Sequence, residues 1–384
     1  MTRLTASWLN STGARQVMAL FSEIDEVAYF VGGCVRNSLL DVPVSDLDIS
    51  TPVRPELTLK LAKDAGLKAI PTGIEHGTVT VIADGEPFEI TTFRKDVETD
   101  GRRAVVAFST YMEDDARRRD FTMNAIYADA SGEIIDPLGG LPDLRAGRVR
   151  FIDDPHLRIK EDYLRILRFF RFYAWYGDHS AGLDPDGLAA CASHLDGLAT
   201  LSRERVGAEF IKLLSAPSPD QAIGAMDQSG VLNALLPGAS TKAFFLLTAF
   251  ETRPNPILRL AALGNFDVSE LLRLSKVQCR EYDTYRDLAA GTKRLAEIAY
   301  RETADVARAV ACLRSAFFEQ PVSPDVEADI AKGGEARFPI SAADLMPEVR
   351  GPALGSALKT AEQAWIESGF TLDRHALITR AKGE

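Results

Sequence analysis

The feature that most restricts the fold of this chain is the segment YFVGGCVRNSLLDVPVSDLDIS, residues 29–50. Its apolar start predicts a short strand, which stops at Gly32 and Gly33. A glycine pair between a strand and a helical turn lets backbone N–H groups approach an anion, although such a pair alone often marks only a tight turn. Arg36 follows, and its guanidinium is a planar fork of donors for phosphate oxygens. The segment therefore predicts an anion-binding turn between a strand and a helix.

Two aspartates close the same segment in the pattern Asp46-Leu47-Asp48. Because side chains alternate along a strand, both carboxylates project from one face while Leu47 points to the core. Like charges about 7 Å apart on one face repel each other unless a cation lies between them. Carboxylate oxygens suit Mg²⁺, but a solvated strand edge explains the aspartate pair alone equally well.

A third carboxylate, Glu89, lies in the run FEITTF, residues 88–93. The alternation places Glu89 on the face opposite to its apolar neighbours. If this strand lies beside the aspartate strand, Glu89 completes a three-carboxylate cluster that can hold two metal ions. An ordinary surface glutamate is the alternative.

Composition limits the class of protein. The chain has 384 residues, of which 46% are hydrophobic and 26% charged, as in globular proteins of two to four domains. Four cysteines without CxxC spacing indicate reduced thiols, and with the five scattered histidines they argue against zinc. The first residues lack a signal-peptide core, and the longest apolar run, residues 243–250, is too short for a membrane span. We therefore expect a cytoplasmic protein without a membrane partner.

The charge distribution leaves room for a nucleic-acid partner. The net charge of −11 argues against one. Residues 141–176, however, carry eight Arg and Lys against five Asp and Glu. Basic charge is thus concentrated in one stretch of an acidic chain, which permits a contact with RNA and predicts that binding weakens steeply with salt.

Strand and helix signals alternate in the first third of the chain and give way to helical patterns after Pro137. We predict helical segments at residues 16–24, 36–40 and 54–66, strands at 28–31 and 45–50 and a hairpin at 77–93. Residues 94–110 are predicted to form a mobile polar loop that leads into another short strand, with an ordinary hairpin connection as the alternative. From residue 156 the pattern is helical almost to the end. The fold class is therefore α+β, with a mixed head followed by an all-helical arm.

The order of the motifs resembles that of a known family. GGCVRN…SDLDI is similar to the signature of the class II nucleotidyltransferases, which include the tRNA CCA-adding enzymes and the bacterial poly(A) polymerases. The resemblance continues through RRDFTMNAIY (118–127), DPLGGLPDL (136–144), EDYLRILRFFRF (161–172) and LSRERVGAEFIKLL (201–214). It covers residues 28–214. Asn37 replaces the Asp of many relatives, with little effect expected on metal binding.

The resemblance implies a nucleotidyltransferase-type head at residues 1–140, a helical neck at 141–215 and a tRNA-binding helical body and tail at 216–384. It implies that Asp46 and Asp48 bind catalytic Mg²⁺ and that Glu89 supports them. The implied nucleotide-binding residues are Gly33 and Arg36 with the adjacent Gly32 for the triphosphate, and Arg119, Asp120 and Asn124 for the sugar and phosphates.

The segment EDYLRILRFFRF places Asp162, Arg165, Arg168 and Arg171 three residues apart, which predicts one polar stripe on a helix. Asp162 can accept from the exocyclic amino group of cytosine or adenine, and Arg165 can donate to the ring beside it. In the family this motif acts as a protein template that selects CTP or ATP. The alternative is an ion pair with solvated arginines.

The predicted function is Mg²⁺-dependent addition of CCA to the 3′ end of tRNA from CTP and ATP, with release of pyrophosphate. A poly(A) polymerase or a partial CC- or A-adding enzyme is the nearest alternative. The polar segment 94–110 and the run PTGIEHGTVTV (71–81) favour complete CCA addition. Nucleotidyl transfer to a small molecule and non-catalytic RNA binding are further alternatives. The arginine-rich helical arm argues against the former and the intact carboxylates against the latter.

Overall fold

The computed structural model describes residues 3–100 and 103–382, without the side chains of residues 96–106. The chain divides into two compact units, Met1–Pro237 and Gly238–Glu384. The domain boundaries predicted at residues 140 and 215 lie inside the first unit, and they stay a prediction.

Strands occur only in the first unit of the described chain. They are β1 (Tyr29–Val31), β2 (Leu47–Thr51), β3 (Lys68–Gly73), β4 (Thr78–Ala83), β5 (Glu86–Thr92), β6 (Arg94–Asp100), β7 (Arg103–Phe108), β8 (Tyr127–Ala128) and β9 (Ile134–Ile135). Seven of them form one mixed sheet in the order β3-β4-β5-β2-β1-β8-β9, in which only β2 and β5 pair in parallel. Leu47 and Ile49 of β2 are buried on the core face with Phe88 and Ile90 of β5, as the alternation predicts.

Helices cover the sheet and continue the chain of the first unit. They are α1 (Thr12–Ser22), α2 (Gly33–Leu39), α3 (Pro55–Asp64), α4 (Met112–Arg117), α5 (Gly140–Arg145), α6 (Pro155–Glu161), α7 (Leu164–Tyr176), α8 (Pro185–Ser193), α9 (Arg203–Leu214), α10 (Asp220–Gln228) and α11 (Val231–Leu235). Local signals set several ends: the Ser11 side chain accepts from the Ala14 N–H (3.1 Å) to cap α1, and Pro55 opens α3. A Cβ at Gly13 would lie 2.8 Å from the Ala83 carbonyl oxygen, so glycine lets α1 pack directly on the sheet.

Two elements differ from the sequence prediction. The polar segment 94–110 is a two-stranded hairpin of β6 and β7, paired from Arg94 opposite Phe108 to Asp100 opposite Arg103, whereas we predicted a mobile loop. Its β-branched second half favours a strand, while residues 101–102 lie outside the described chain. Strand β3 was not predicted because it contains Pro71, which a sheet tolerates only at an edge, and β3 is an edge strand.

The second unit is helical throughout its described part, as predicted. Its helices are α12 (Lys242–Phe250), α13 (Pro256–Leu263), α14 (Val268–Leu271), α15 (Lys276–Ala290), α16 (Leu295–Arg301), α17 (Ala304–Phe318), α18 (Val326–Glu335), α19 (Ala342–Leu345), α20 (Pro352–Glu367) and α21 (Arg374–Lys382). Trp365, Leu345 and Leu377 form the centre of its last buried cluster. In the described part of the chain, no helix has the length and apolar character needed to cross a membrane.

The contact between α16 and α18 tests this packing. A Cβ at Gly333 would lie 1.9 Å from the Ala296 carbonyl oxygen, whereas a Cβ at Gly334 meets no heavy atom within 4 Å. We predict that Gly333→Ala destabilises the chain by about 2 kcal/mol or more through overpacking. Gly334→Ala should stabilise it by ~0.5 kcal/mol because alanine favours a helix. Urea unfolding followed by circular dichroism measures both, and equal midpoints for the two variants would contradict the packing.

Candidate active site

One cavity of about 880 Å³ in the first unit is lined by every residue that the sequence analysis assigned to the site. These residues are Gly32, Gly33, Arg36, Asp46, Asp48, Glu89, Arg119, Asp120, Asn124, Asp162, Arg165, Arg168 and Arg171. Phe172 and Lys212 also line it. The fold therefore brings all the predicted motif residues to one place.

The carboxylates lie where β2 and β5 run in parallel. Asp48 is in register with Glu89, so their side chains project from the same face of the sheet. Asp46 precedes β2 and accepts from the Ser45 hydroxyl (2.8 Å). Burial raises the pKa of Asp48, the charge of Arg119 opposes this effect, and Glu89 and Asp46 raise the pKa further. A cation bound here would offset this repulsion.

The donor set fits a divalent metal that arrives with further oxygen ligands. Within the described residues, no three Asp, Glu, His or Cys side chains are grouped closely enough to hold an ion. Asp46, Asp48 and Glu89 line the same cavity, but the three carboxylates do not together form an ion site in this structure. Asp46 and Asp48 offer hard oxygen donors, and Mg²⁺ commonly binds one or two carboxylates plus substrate phosphates.

The glycine pair forms the turn between β1 and α2. Gly32 adopts a φ of +72°, and a Cβ there would lie 3.3 Å from Arg119 Nη1, so any side chain would be strained and would crowd that guanidinium. The Gly32 N–H donates to the Ile126 carbonyl (3.4 Å). The anion-binding role predicted for both glycine N–H groups therefore depends on Gly33, at the start of α2.

Arg36 is a buried cation, 7% exposed, whose hydrogen-bond partners among the described residues are all neutral. Its Nη1 donates to Asn124 Oδ1 (2.5 Å). Its Nε and Nη2 donate to Asn37 Oδ1 (3.1 and 2.8 Å), and Nη2 also donates to the Tyr176 hydroxyl (3.0 Å). Burial lowers the pKa of Arg36. Since burial of a cation is costly and the charge of Asp120 opposes this cost only in part, this position favours an anionic ligand.

Arg119 is held by Asp115, a fully buried carboxylate that the sequence analysis missed. Asp115 Oδ2 accepts from Arg119 Nη2 (3.0 Å) and from the Tyr127 hydroxyl (2.8 Å), and Oδ1 accepts from Arg118 Nε (2.8 Å). Burial alone raises the pKa of Asp115, but Arg118 and Arg119 hold it well below its usual range. Arg119 lines the cavity, and its buried Nε has no hydrogen-bond partner among the described residues.

Asp120 joins the neighbouring residues to α7. Its Oδ1 accepts from Asn124 Nδ2 (2.8 Å), and its Oδ2 accepts from Arg168 Nε (2.7 Å). Burial by itself raises the pKa of Asp120, but the charge of Arg168 and the hydrogen bond from Asn124 lower it to about 2. Both carboxylate oxygens thus accept hydrogen bonds from protein donors. In this structure Asp120 is therefore not free to make the sugar contact that we expect of it.

The segment EDYLRILRFFRF (161–172) is not one helix, so the polar stripe predicted for it is wrong at Asp162. Helix α6 ends at Glu161, Asp162 is extended with a φ of −154°, and α7 begins at Leu164. Asp162 Oδ1 accepts from the Leu164 N–H (3.1 Å), a local bond that competes with helix continuation. Its Oδ2 accepts from Arg205 (2.6 Å) rather than from Arg165.

The arginines of α7 all have carboxylate partners. Arg165 pairs with Glu161 (2.5 Å), and Arg171 pairs with Glu209 (2.5 Å). Arg168 lies between Asp120 and Glu209, at 2.6 and 3.7 Å. The solvated arginine stripe considered as the alternative is therefore absent from this helix.

Four orienting residues escaped the sequence analysis: Asp115, Tyr176, Arg205 and Glu209. Arg205 and Glu209 belong to the motif at 201–214, which the resemblance located without a role. Asp115 precedes two of its arginine partners by three and four residues, a spacing typical of helical ion pairs, so a signal was present. Tyr176 gave no signal because its partner, Arg36, is distant in sequence.

Two family models and a relative that spans nearly the whole chain match this sequence. Residues 28–150 match the poly A polymerase head domain, and residues 182–242 match the probable RNA and SrmB-binding site of polymerase A. Over 97% of its length, the chain is 29% identical to the mitochondrial CCA tRNA nucleotidyltransferase 1 of Mus musculus, of which 91% is matched. These matches bear out the resemblance to the CCA-adding enzymes and poly(A) polymerases.

Two further comparisons extend this result. A CCA-adding enzyme of Streptococcus pyogenes serotype M5 is 42% identical over 56% of this chain, a match that spans about half of the streptococcal protein (52%). The crystal structure of the Bacillus stearothermophilus CCA-adding enzyme in complex with CTP matches with a TM-score of 0.76 and 28% identity, over 97% of this chain and 96% of that one. The predicted α+β class, a mixed head followed by helices, is confirmed.

The buried charge of Asp115 predicts a pH-dependent stability. Because its folded pKa is depressed, the stabilisation is fully present above the pKa of an unfolded aspartate, about 4, and is lost as the pH falls below that value. Asp115→Asn should therefore be less stable than the native chain by about 3 kcal/mol near neutral pH. This difference should shrink as the pH falls below about 4.

Urea unfolding near pH 7 and near pH 3 measures the difference. Ser50→Ala is the control, because it removes no charge but two 3.2 Å hydrogen bonds, one that Ser50 donates to the same carboxylate and one that it accepts from Arg119, and it should cost about 2 kcal/mol at either pH. A deficit of Asp115→Asn that does not change with pH would contradict the prediction.

Proposed function

We propose that this chain adds CCA to the 3′ end of tRNA, using CTP and ATP and releasing pyrophosphate. One observation carries the proposal: a single cavity is lined both by the carboxylates of β2 and β5 and by the arginines of α7. The similarity to the murine CCA tRNA nucleotidyltransferase and to the streptococcal CCA-adding enzyme, and the CTP bound to the Bacillus enzyme, support this reaction.

Mg²⁺ is the proposed cofactor. Nucleotidyltransferases generally depend on divalent metal ions, and Asp46 and Asp48 would hold the ion here with Glu89 as the neighbouring carboxylate. When bound, the ion supplies Lewis acidity that lowers the pKa of the RNA 3′-hydroxyl and offsets the charge of the triphosphate.

Arg36, Arg119 and the Gly33 N–H are the proposed donors to the triphosphate. The neutral hydrogen-bond partners of Arg36 and the unpartnered Nε of Arg119 support this assignment. These donors align the α-phosphate with the attacking hydroxyl and stabilise charge on the leaving pyrophosphate. Asn124, which bonds to Arg36, is the proposed sugar contact, and Asp120 fixes Asn124.

Asp162 and Arg165 are the proposed readers of the base. Cytosine and adenine present an amino group to the Asp162 carboxylate, whereas uracil presents a carbonyl oxygen that cannot donate to it. Arg205 and Glu161 hold the two readers in place before a nucleotide arrives. Arg168 and Arg171 carry further positive charge along the cavity.

The proposed acceptor is tRNA, bound through the basic stretch of residues 141–176 and through the helical body and tail, residues 216–384. The family match at residues 182–242, described as an RNA-binding site, supports an RNA acceptor. A cytoplasmic location is likewise a proposal, supported by four free cysteines, of the kind that a reducing compartment maintains.

A tRNA transcript that ends before CCA tests the function. With Mg²⁺ and CTP alone we expect two added C residues, with CTP and ATP a complete CCA end, and with UTP no addition. Sequencing of the 3′ ends measures this. A long A tract from ATP alone would identify a poly(A) polymerase, and absence of any addition would contradict nucleotidyl transfer to tRNA.

The carboxylate of β2 is expected to be essential. Asp48→Asn should lower the rate of addition on the order of 1000-fold, because the bound metal ion lowers the activation barrier by several kcal/mol and the variant loses this effect. Glu86→Gln, an exposed residue on β5, should leave the rate unchanged. Single-turnover addition of labelled CTP measures both variants, and an active Asp48→Asn variant would exclude the proposed metal site.

A further inference from the structure

We infer that Tyr176 positions Arg36 for the triphosphate and so connects the nucleotide-selecting helix to the glycine turn. The inference rests on the proposed function, because it takes a nucleoside triphosphate as the ligand of Arg36. Tyr176 is the last residue of α7, and Arg165 lies in the first turn of the same helix. One helix would therefore orient contacts to both ends of the nucleotide.

Two kinds of contact join Tyr176 to Arg36. Arg36 Nη2 donates to the Tyr176 hydroxyl (3.0 Å), and the guanidinium carbon lies 4.3 Å from the centre of the Tyr176 ring. Phe172, one turn earlier on α7, has its ring centre 5.0 Å from the same carbon. Aromatic rings attract cations most strongly away from water, and Arg36 is buried. Helix α7 thus holds the guanidinium both through the Tyr176 hydroxyl, which accepts a hydrogen bond, and through the two rings.

The other contacts of Arg36 restrict where a ligand can bind. A guanidinium has five N–H donors. Asn37 Oδ1 accepts one from Nε and one from Nη2, Tyr176 accepts the second from Nη2, and Asn124 accepts one from Nη1. Within the described structure this leaves one N–H, on Nη1, for an anion in the cavity that Arg36 lines. Its direction depends on the guanidinium plane, which Tyr176 helps to fix.

Tyr173 provides a matched comparison on the same helix. Its hydroxyl donates to Gln221 Oε1 (2.5 Å), its ring is buried, and it does not line the cavity. Loss of the Tyr173 hydroxyl perturbs the packing of α7 without changing Arg36. Tyr176→Phe and Tyr173→Phe therefore remove the same atom from one helix, and only the first removes a contact to Arg36.

Calorimetric titration of the full chain with CTP, CMP and tripolyphosphate in Mg²⁺ tests the inference. Tyr176→Phe, which keeps the ring, should weaken CTP binding roughly fivefold, as expected when one typical intramolecular hydrogen bond is lost. Tyr176→Leu, which removes the ring as well, should weaken it on the order of 50-fold. Tripolyphosphate should lose affinity in parallel, CMP should not, and Tyr173→Phe should match the native chain.

The outcomes separate this inference from the proposed function. If the native chain binds CTP and both Tyr176 variants bind it equally well, the positioning role is overturned and the proposed function stands. Equal losses for CMP and CTP would give Tyr176 a general structural role and would also overturn the inference. A native chain that neither binds CTP nor adds nucleotides would overturn the proposed function, and the inference with it. Should Tyr176→Leu misfold by circular dichroism, Tyr176→Phe alone decides.

Discussion

The organisation of the cavity depends on a short piece of backbone, residues 117–124, that bonds to the elements around it. Its carbonyl groups accept from Arg158 (2.6 Å) and Arg165 (2.9 Å), and its side chains accept from Arg36 (2.5 Å) and Arg168 (2.7 Å). Asp115 accepts hydrogen bonds from Arg118 and Arg119 of the same segment. Because the sheet side and the helix side of the cavity both bond to this one segment, their relative position is fixed before any nucleotide binds.

The packing around Thr122 gives a physical reason for the motif DPLGGLPDL. A Cβ at Gly140 would lie 2.0 Å from the Thr122 carbonyl oxygen, so only glycine lets α5 approach this closely. Asp136 accepts from the N–H groups of Gly140 (2.7 Å) and Leu141 (2.8 Å) and satisfies the free donors at the start of α5. Asp143, also buried, accepts from the Thr122 hydroxyl (2.7 Å). The motif thus supports the segment that holds the site rather than lining the cavity.

Features set by neighbouring residues could be predicted from the sequence, whereas contacts between residues far apart in the chain could not. The strand with Asp48 and the turn at Gly32 were predictable, since alternation and backbone freedom are set by adjacent residues, although the predicted strand also included Asp46, which precedes β2. The shape of the selecting segment was not, because Asp162 takes its partner from α9, forty-three positions along the chain. The same holds for Tyr176, whose partner lies one hundred and forty positions away. The order of motifs predicted which residues line the site. Only the fold shows which hydrogen bonds and ion pairs orient their side chains.

The side chains near the two ends of α7 differ in burial, and this difference indicates where the cavity can adapt to two different bases. Arg165 and Tyr176 are eleven positions apart on one helix, a rise of about 16 Å that cannot change without breaking backbone hydrogen bonds. At the Tyr176 end Arg36 is buried, so moving its guanidinium would expose aromatic faces and strand a buried charge. At the other end the pair of Asp162 and Arg205 has side chains 25% and 30% exposed, and such pairs exchange partners at a cost of about 1 kcal/mol or less. Under the proposed function, adjustment between cytosine and adenine therefore costs less at the partly exposed pair of Asp162 and Arg205 than at the buried Arg36.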